Sequence, residues 1–211
     1  MSVNEPVNQP LRRDVPFSSA QAEEPAPPAL RFADPAPLGL AAFALTTFCL
    51  SMANAGYVTG SAEVLGLALF YGGIAQFAAG LWEFANRNTF GATAFCTFGA
   101  FWMSFWYLSA TKAGSEAGAS GVGTFLLAFG IVTLYLTIAS FKTNLATSAV
   151  FVLLTLTLFA LAISNYTSSL PLAHIGGYLG ILTALVAWYT SFAGVTNSTF
   201  KRVVIPVWPM N

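Results

Sequence analysis

Residues 150–163 read VFVLLTLTLFALAI, fourteen positions without a charge, a side-chain amide, a glycine or a proline. A strand of a closed membrane barrel alternates apolar and polar residues over about ten positions. Here apolar residues follow one another directly, so the run reads as helix. Crossing a hydrocarbon core roughly 30 Å thick takes about 20 helical residues, a length reached by extending the run to 147–166. Five further stretches have the same character: 37–58, 63–84, 90–111, 121–141 and 172–195. The expected fold is an all-α integral membrane protein with six transmembrane helices.

The segments between these stretches are short and rich in turn and capping residues: Thr-Gly-Ser at 59–61, Asn-Arg-Asn at 86–88, a Gly and Ser cluster at 114–121, Lys-Thr-Asn at 142–144 and Ser-Ser-Leu-Pro at 168–171. None can hold a second domain. The expected organisation is a six-helix transmembrane domain over 34–200 between an N-terminal tail, 1–33, and a C-terminal tail, 201–211. The first 33 residues are rich in Pro, Ala, Glu and Gln and contain no apolar core of a signal peptide, so they read as a disordered cytoplasmic segment.

Composition agrees with a lipid solvent. Of 211 residues, 56% are hydrophobic and 8% charged, against about 25% charged in an ordinary soluble domain. Eight basic and eight acidic side chains cancel, leaving no basic surface for nucleic acid. The two cysteines, Cys49 and Cys96, lie inside apolar runs and read as small packing residues. Basic residues near span ends stay on the cytoplasmic side. Arg12, Arg13, Arg31, Arg87, Lys142, Lys201 and Arg202 fall on one face and only Lys112 on the other. Both termini are therefore expected in the cytoplasm, with the protein in a cell membrane of plasma or inner type. Tyr57, Trp82, Trp106, Tyr107, Tyr166, Trp188 and Tyr189 sit near span ends, where amphipathic rings prefer the interface.

Small residues recur every four positions, as in Gly176, Gly180 and Ala184 or Gly72, Gln76 and Gly80. Such stripes let helices approach closely, and they are compatible with packing inside one protomer, with a pore lining or with a subunit contact. Polar side chains at membrane depth are few: Thr46, Thr47, Ser51 and Asn54 on the first span, Gln76 and Glu83 on the second, Thr93 and Ser104 on the third, Asn165 on the fifth. Hydroxyls commonly bond back to their own helix. Thr47, Asn54, Gln76 and Asn165 are the candidates for lining a solute path. Glu83 and Arg87 have the i,i+4 spacing of a helical ion pair. His174 is the only histidine, too few for a multi-histidine metal site. With no HExxH, nucleophile elbow, phosphate loop or buried carboxylate pair, the residues point to neither an enzyme nor a metal or organic cofactor. They suit a narrow conduit for a small solute.

Directly before the first span, Asp34, Pro35, Ala36, Pro37, Leu38, Gly39 and Leu40 spell DPAPLGL, which resembles the NPAPLGL signature of the acetate uptake transporter family, with Asp34 in place of the usual Asn. Further matches follow in order: Asn54, Gly56 and Tyr57; Phe70 to Gln76 as FYGGIAQ, with Tyr71, Gly72 and Gly73 at its centre; Gly80, Leu81 and Glu83; Asn88 to Phe95 as NTFGATAF; Phe101 and Trp102; Asn165; and His174, Gly177 and Gly180 as HxxGxxG. The resemblance covers Asp34 to about Pro206. It implies a ring of six protomers, one conduit per protomer, and passage of acetate and other short carboxylates such as succinate, either coupled to protons or through an anion channel. It also implies a constriction made by Phe43, Phe98 and Leu154, where Phe98 lacks the hydroxyl of the Tyr expected at that position. Donors for the solute are expected from Thr47, Asn54, Gln76 and the helix end that follows DPAPLGL. Glu83, Asp34 and His174 are the candidates for proton linkage. An ammonium conduit and a non-transporting membrane sensor are the alternatives; the first is expected to carry paired pore histidines, and the second to act through its N-terminal segment.

Overall fold

A computed structural model describes residues 32–60 and 62–210, and the expected N-terminal tail lies almost wholly outside them. Six helices occupy the described residues: α1 (Ala36–Asn54), α2 (Ala62–Ala85), α3 (Thr89–Ala110), α4 (Ala113–Ser140), α5 (Leu145–Thr167) and α6 (Leu170–Phe200). They correspond one to one with the six stretches read from the sequence. Five are long and apolar enough to cross a bilayer. The sixth, α3, is as long at 22 residues, but its Thr, Ser, Gly, Trp and Tyr content lowers its mean hydropathy.

Local chemistry explains the boundaries. Asn88 caps α3 by accepting from Gly91 N at 3.0 Å, and Asn144 caps α5 by accepting from Thr147 N at 2.8 Å, each satisfying an amide that the first turn leaves free. Within α4, Gly118 takes φ 64° and ψ 179°, breaking a first short turn from the long apolar helix. The left-handed φ is open to glycine without steric cost, and the Gly and Ser cluster marked this break. The centre of α2, Leu67–Ala75, is π-helical, so the FYGGIAQ motif lies on a locally widened helix.

The helices close into a ring. Each packs on its neighbours in sequence and α6 closes back on α1; across the ring only α1 and α3 touch, marginally. Lipid gives apolar helices no hydrophobic drive to associate, so close backbone approach must supply the contact. At the α6–α1 seam Gly177 lies against the backbone of Asn54 and Ala55, and Gly180 against Ser51. At the α2–α3 seam Gly80 meets Cys96 and Gly99 meets Phe77. The glycines of both stripes thus pack within the chain, and Gly176, Gly180 and Ala184 are buried.

The C-terminal residues, read from the sequence as a tail, fold back as an ordered strap. Asn197 Oδ1 accepts from Val204 N and Ile205 N at 2.7 and 2.9 Å, while its Nδ2 donates to Ile205 O at 2.8 Å. Tyr189 donates to Pro206 O at 2.6 Å and stacks on Trp208. Leu145 N donates to Trp208 O at 2.9 Å. The strap thereby ties the end of α6 to the start of α5.

A methyl group at Gly177 has no room against Ala55, so Gly177→Ala is expected to cost about 1–3 kcal/mol. Gly66 faces open space, and Gly66→Ala is expected to leave the melting temperature unchanged or slightly higher. Thermal melts of the two variants in detergent compare them directly.

Candidate functional site

Phe43 comes from α1, Phe98 from α3 and Leu154 from α5, and the ring brings these alternate helices to one point. All three are buried, at 4%, 3% and 5% exposure. Phe43 meets Phe98 edge-on, with ring centroids 5.7 Å apart. On one side of them lies a cavity of about 490 Å³. On the other is a space of about 20 Å³, room for roughly one water. Phe43, Phe98 and Leu154 border both, so they stand between the two spaces.

The larger cavity extends toward the end of the bundle where α1, α3 and α5 finish, and reaches Thr111, Gly114 and Ser115. Thr47, Asn54 and Asn165 lie on its wall, while Gln76 borders the small space beyond the constriction. Asn165 Nδ2 donates to Leu161 O at 2.9 Å. Thr47 Oγ1 and Gln76 Oε1 are buried without a hydrogen-bond partner. Such orphans are costly in an apolar interior. Among the described residues, no side chain lining either space carries an ionisable group.

The three candidates for proton linkage lie elsewhere. Asp34 is exposed, and its Oδ1 accepts from Ala36 N at 2.9 Å at the start of α1. Gly39 N donates to Pro35 O at 3.1 Å, and Pro37 has no amide hydrogen. At the helix start Ala36 N is thus taken by Asp34, and Pro35 and Pro37 lack amide hydrogens, so this end stands beside a carboxylate. His174 is half-buried, with Nε2 against Gly56. Glu83 is buried at 1% exposure, with its carboxyl packed on Gly91 beside the Asn88 amide and Oε1 unpartnered. Its anticipated pairing with Arg87 does not arise: α2 ends at Ala85, and Arg87, exposed, takes φ 58°. The i,i+4 geometry needs the helix to continue through Arg87, and it stops two residues short.

Two neighbouring cavity residues, Phe101 and Trp102, were read from the sequence only as part of a motif. Trp102, 2% exposed, borders the larger cavity, and its Nε1 has no acceptor. Its spacing from Phe98, i+4 on one helix face, was the available signal.

The sequence matches the GPR1/FUN34/yaaH family over residues 18–211. The chain belongs to that family. Its relatives in the family include ammonia transport outward protein 2 of Saccharomyces cerevisiae, 43% identical over 188 residues that cover 84% of this chain and 67% of the relative. The succinate-acetate/proton symporter SatP of Escherichia coli K12 is 36% identical over 180 residues, covering 84% of this chain and 96% of SatP. The solved structure of the bacterial acetate channel SatP superposes with a TM-score of 0.80 at 34% identity, over 84% of this chain and 99% of that one. Membership and the apolar helices together make this GPR1/FUN34/yaaH member a multi-pass membrane protein.

A Cβ at Gly91 would lie 2.8 Å from the Glu83 carboxyl carbon and 2.6 Å from Asn88 Nδ2. Gly91→Ala is expected to cost about 1–3 kcal/mol, and adding Glu83→Ala should recover part of it. A double-mutant cycle on thermal stability, with a coupling of about 0.5–3 kcal/mol, checks the contact.

Proposed function

We propose that the protein carries acetate and other short-chain carboxylates across a cell membrane, electroneutrally with a proton, through the gap between Phe43, Phe98 and Leu154. The observation that carries this reading is an apolar constriction between two spaces whose walls hold no ionisable side chain. The names of the SatP relatives, a succinate-acetate/proton symporter and an acetate channel, set the substrate class. Thr47, Asn54 and Asn165 on one side and Gln76 on the other serve the solute before and after the gate. The protein works as a homohexamer with one conduit in each protomer.

Electroneutrality follows from the physics of the gate. A short carboxylic acid resembles a Glu side chain, with a pKa of about 4.3, so near neutrality it is almost all anion. An anion entering against an inside-negative potential is opposed by about 2.3 kcal/mol per 100 mV, roughly a fiftyfold concentration ratio. It also meets three hydrocarbon side chains that offer no compensating donor. Entry with one proton removes both penalties. Because the walls have no titratable group, the proton crosses the gate on the solute, as the undissociated acid.

Uptake of labelled acetate into proteoliposomes tests the reading, with an outside-acid pH gradient in one arm and an inside-positive potential in the other. Flux is expected to follow the pH gradient and to respond little to potential. Flux that follows potential alone makes the protein an anion channel; the solved SatP structure is named an acetate channel. Labelled methylammonium in a third arm addresses the reading suggested by the name of the yeast relative; uptake of it, with none of acetate, overturns carboxylate transport.

Leu154→Ala removes one side of the gate. It is expected to raise the rate for a bulkier acid such as benzoate relative to acetate by about tenfold, the order of effect that a pocket difference of one or a few methylenes has on selectivity. Unchanged selectivity in assembled protein rejects the assignment of Leu154.

A further inference from the structure

Many buried threonine hydroxyls in this bundle satisfy themselves by donating one turn back along their own helix. Thr46 donates to Ala42 O at 2.9 Å, Thr157 to Leu153 O at 2.8 Å and Thr183 to Leu179 O at 2.8 Å. An indole N–H stands at the edge of a wide ring and, being a donor only, cannot take part by accepting. Trp102 Nε1 is in that position: buried, and without an acceptor from the protein. Its ring is held edge-on by Phe101 and Phe105, with centroids at 5.1 and 5.8 Å, and neither neighbour offers an oxygen. Trp102 is one of the residues that border the cavity of about 490 Å³. Thr47, whose Oγ1 is likewise buried and unpartnered, lines the same cavity. Trp102 also lies one helical turn from Phe98, and the constriction itself contains no donor.

We propose that the Trp102 indole N–H is a solute-binding donor: with a small tilt of the ring into the cavity it donates to a carboxyl oxygen of the solute beside the constriction, and the Thr47 hydroxyl donates to the same group. This rests on the reading that the conduit carries carboxylates. The chemistry is selective in one direction. An N–H bond to an anionic oxygen is stronger than one to a neutral acceptor, whereas ammonium, itself only a donor, gains nothing from it. Trp102 therefore supplies a preference for carboxylates over ammonium that the apolar gate cannot supply.

Two measurements test this. In proteoliposomes, Trp102→Phe keeps an aromatic ring and removes the N–H; its half-saturation for acetate is expected to rise about tenfold, the order of a hydrogen bond to a charged group. In the unmodified site, labelled indole N–H resonances of the detergent-solubilised protein are followed during acetate titration. The Trp102 signal is assigned by elimination through Phe variants at Trp82, Trp106, Trp188 and Trp208. A saturable acetate-dependent shift of that signal, absent with equal chloride, supports the proposal even if Trp102→Phe fails to assemble. Wild-type acetate flux with no shift of the Trp102 signal overturns the proposal and leaves carboxylate transport standing, as does flux with an unchanged half-saturation in assembled Trp102→Phe. Absence of acetate flux in the wild type overturns both.

Discussion

The structure depends on helices approaching one another closely where no water exists to drive them together. In a bilayer every backbone N–H and C=O must be paired within its own helix, so helices meet as finished rods and must attract by contact alone. Glycine makes that contact short. Gly177 and Gly180 seat α6 on α1, and Gly80 and Gly99 seat α2 on α3. These contacts join neighbours around a ring that encloses a cavity of about 490 Å³, and the alternate helices α1, α3 and α5 bring Phe43, Phe98 and Leu154 together between it and a space of about 20 Å³.

That economy of contact shapes the polar residues as well. Most hydroxyls disappear into their own helices, and Thr137 and Thr155 bridge α4 and α5 at 2.8 Å. Among the described residues four buried polar atoms keep no partner: Thr47 Oγ1, Gln76 Oε1, Glu83 Oε1 and Trp102 Nε1. Three of these four residues border the spaces on either side of the constriction. The fourth, Glu83, lies away from the lumen, against Gly91 at the head of α3. Three of the residues that lack protein partners thus collect on the two spaces, and the three side chains between these spaces are hydrocarbon.

Phe98 sharpens this division. Where the family resemblance anticipates a tyrosine, this chain has a ring without a hydroxyl, and the constriction becomes fully apolar. The polar side chains nearest to it are Thr47 and Trp102, a helical turn away on one side, and Gln76 on the other. On the proposed reading such a gate selects by size and charge, and its two approaches choose among oxygen-bearing solutes.

Much of this was legible in the chain itself. Continuous apolar runs of about 20 residues dictate spanning helices, because lipid admits few other solutions, and DPAPLGL, FYGGIAQ and NTFGATAF identify the family. Thr47, Asn54, Asn165 and Gln76 could be selected because polar side chains at membrane depth are rare. What the sequence left open depended on direction and closure. Whether a glycine stripe faces a neighbour, a pore or another subunit is decided by which helix lies beside it. The ion pair read for Glu83 and Arg87 failed because the helix ended between them. The residues after Phe200 became a strap because Asn197, Tyr189 and the free amides of α5 converge on them from separate helices. Trp102 stood in the sequence only as part of a motif, until its surroundings showed an N–H with no acceptor. Length and polarity are properties of one helix, fixed by its residues; the lumen, the gate and the unspent donors exist only where several helices meet.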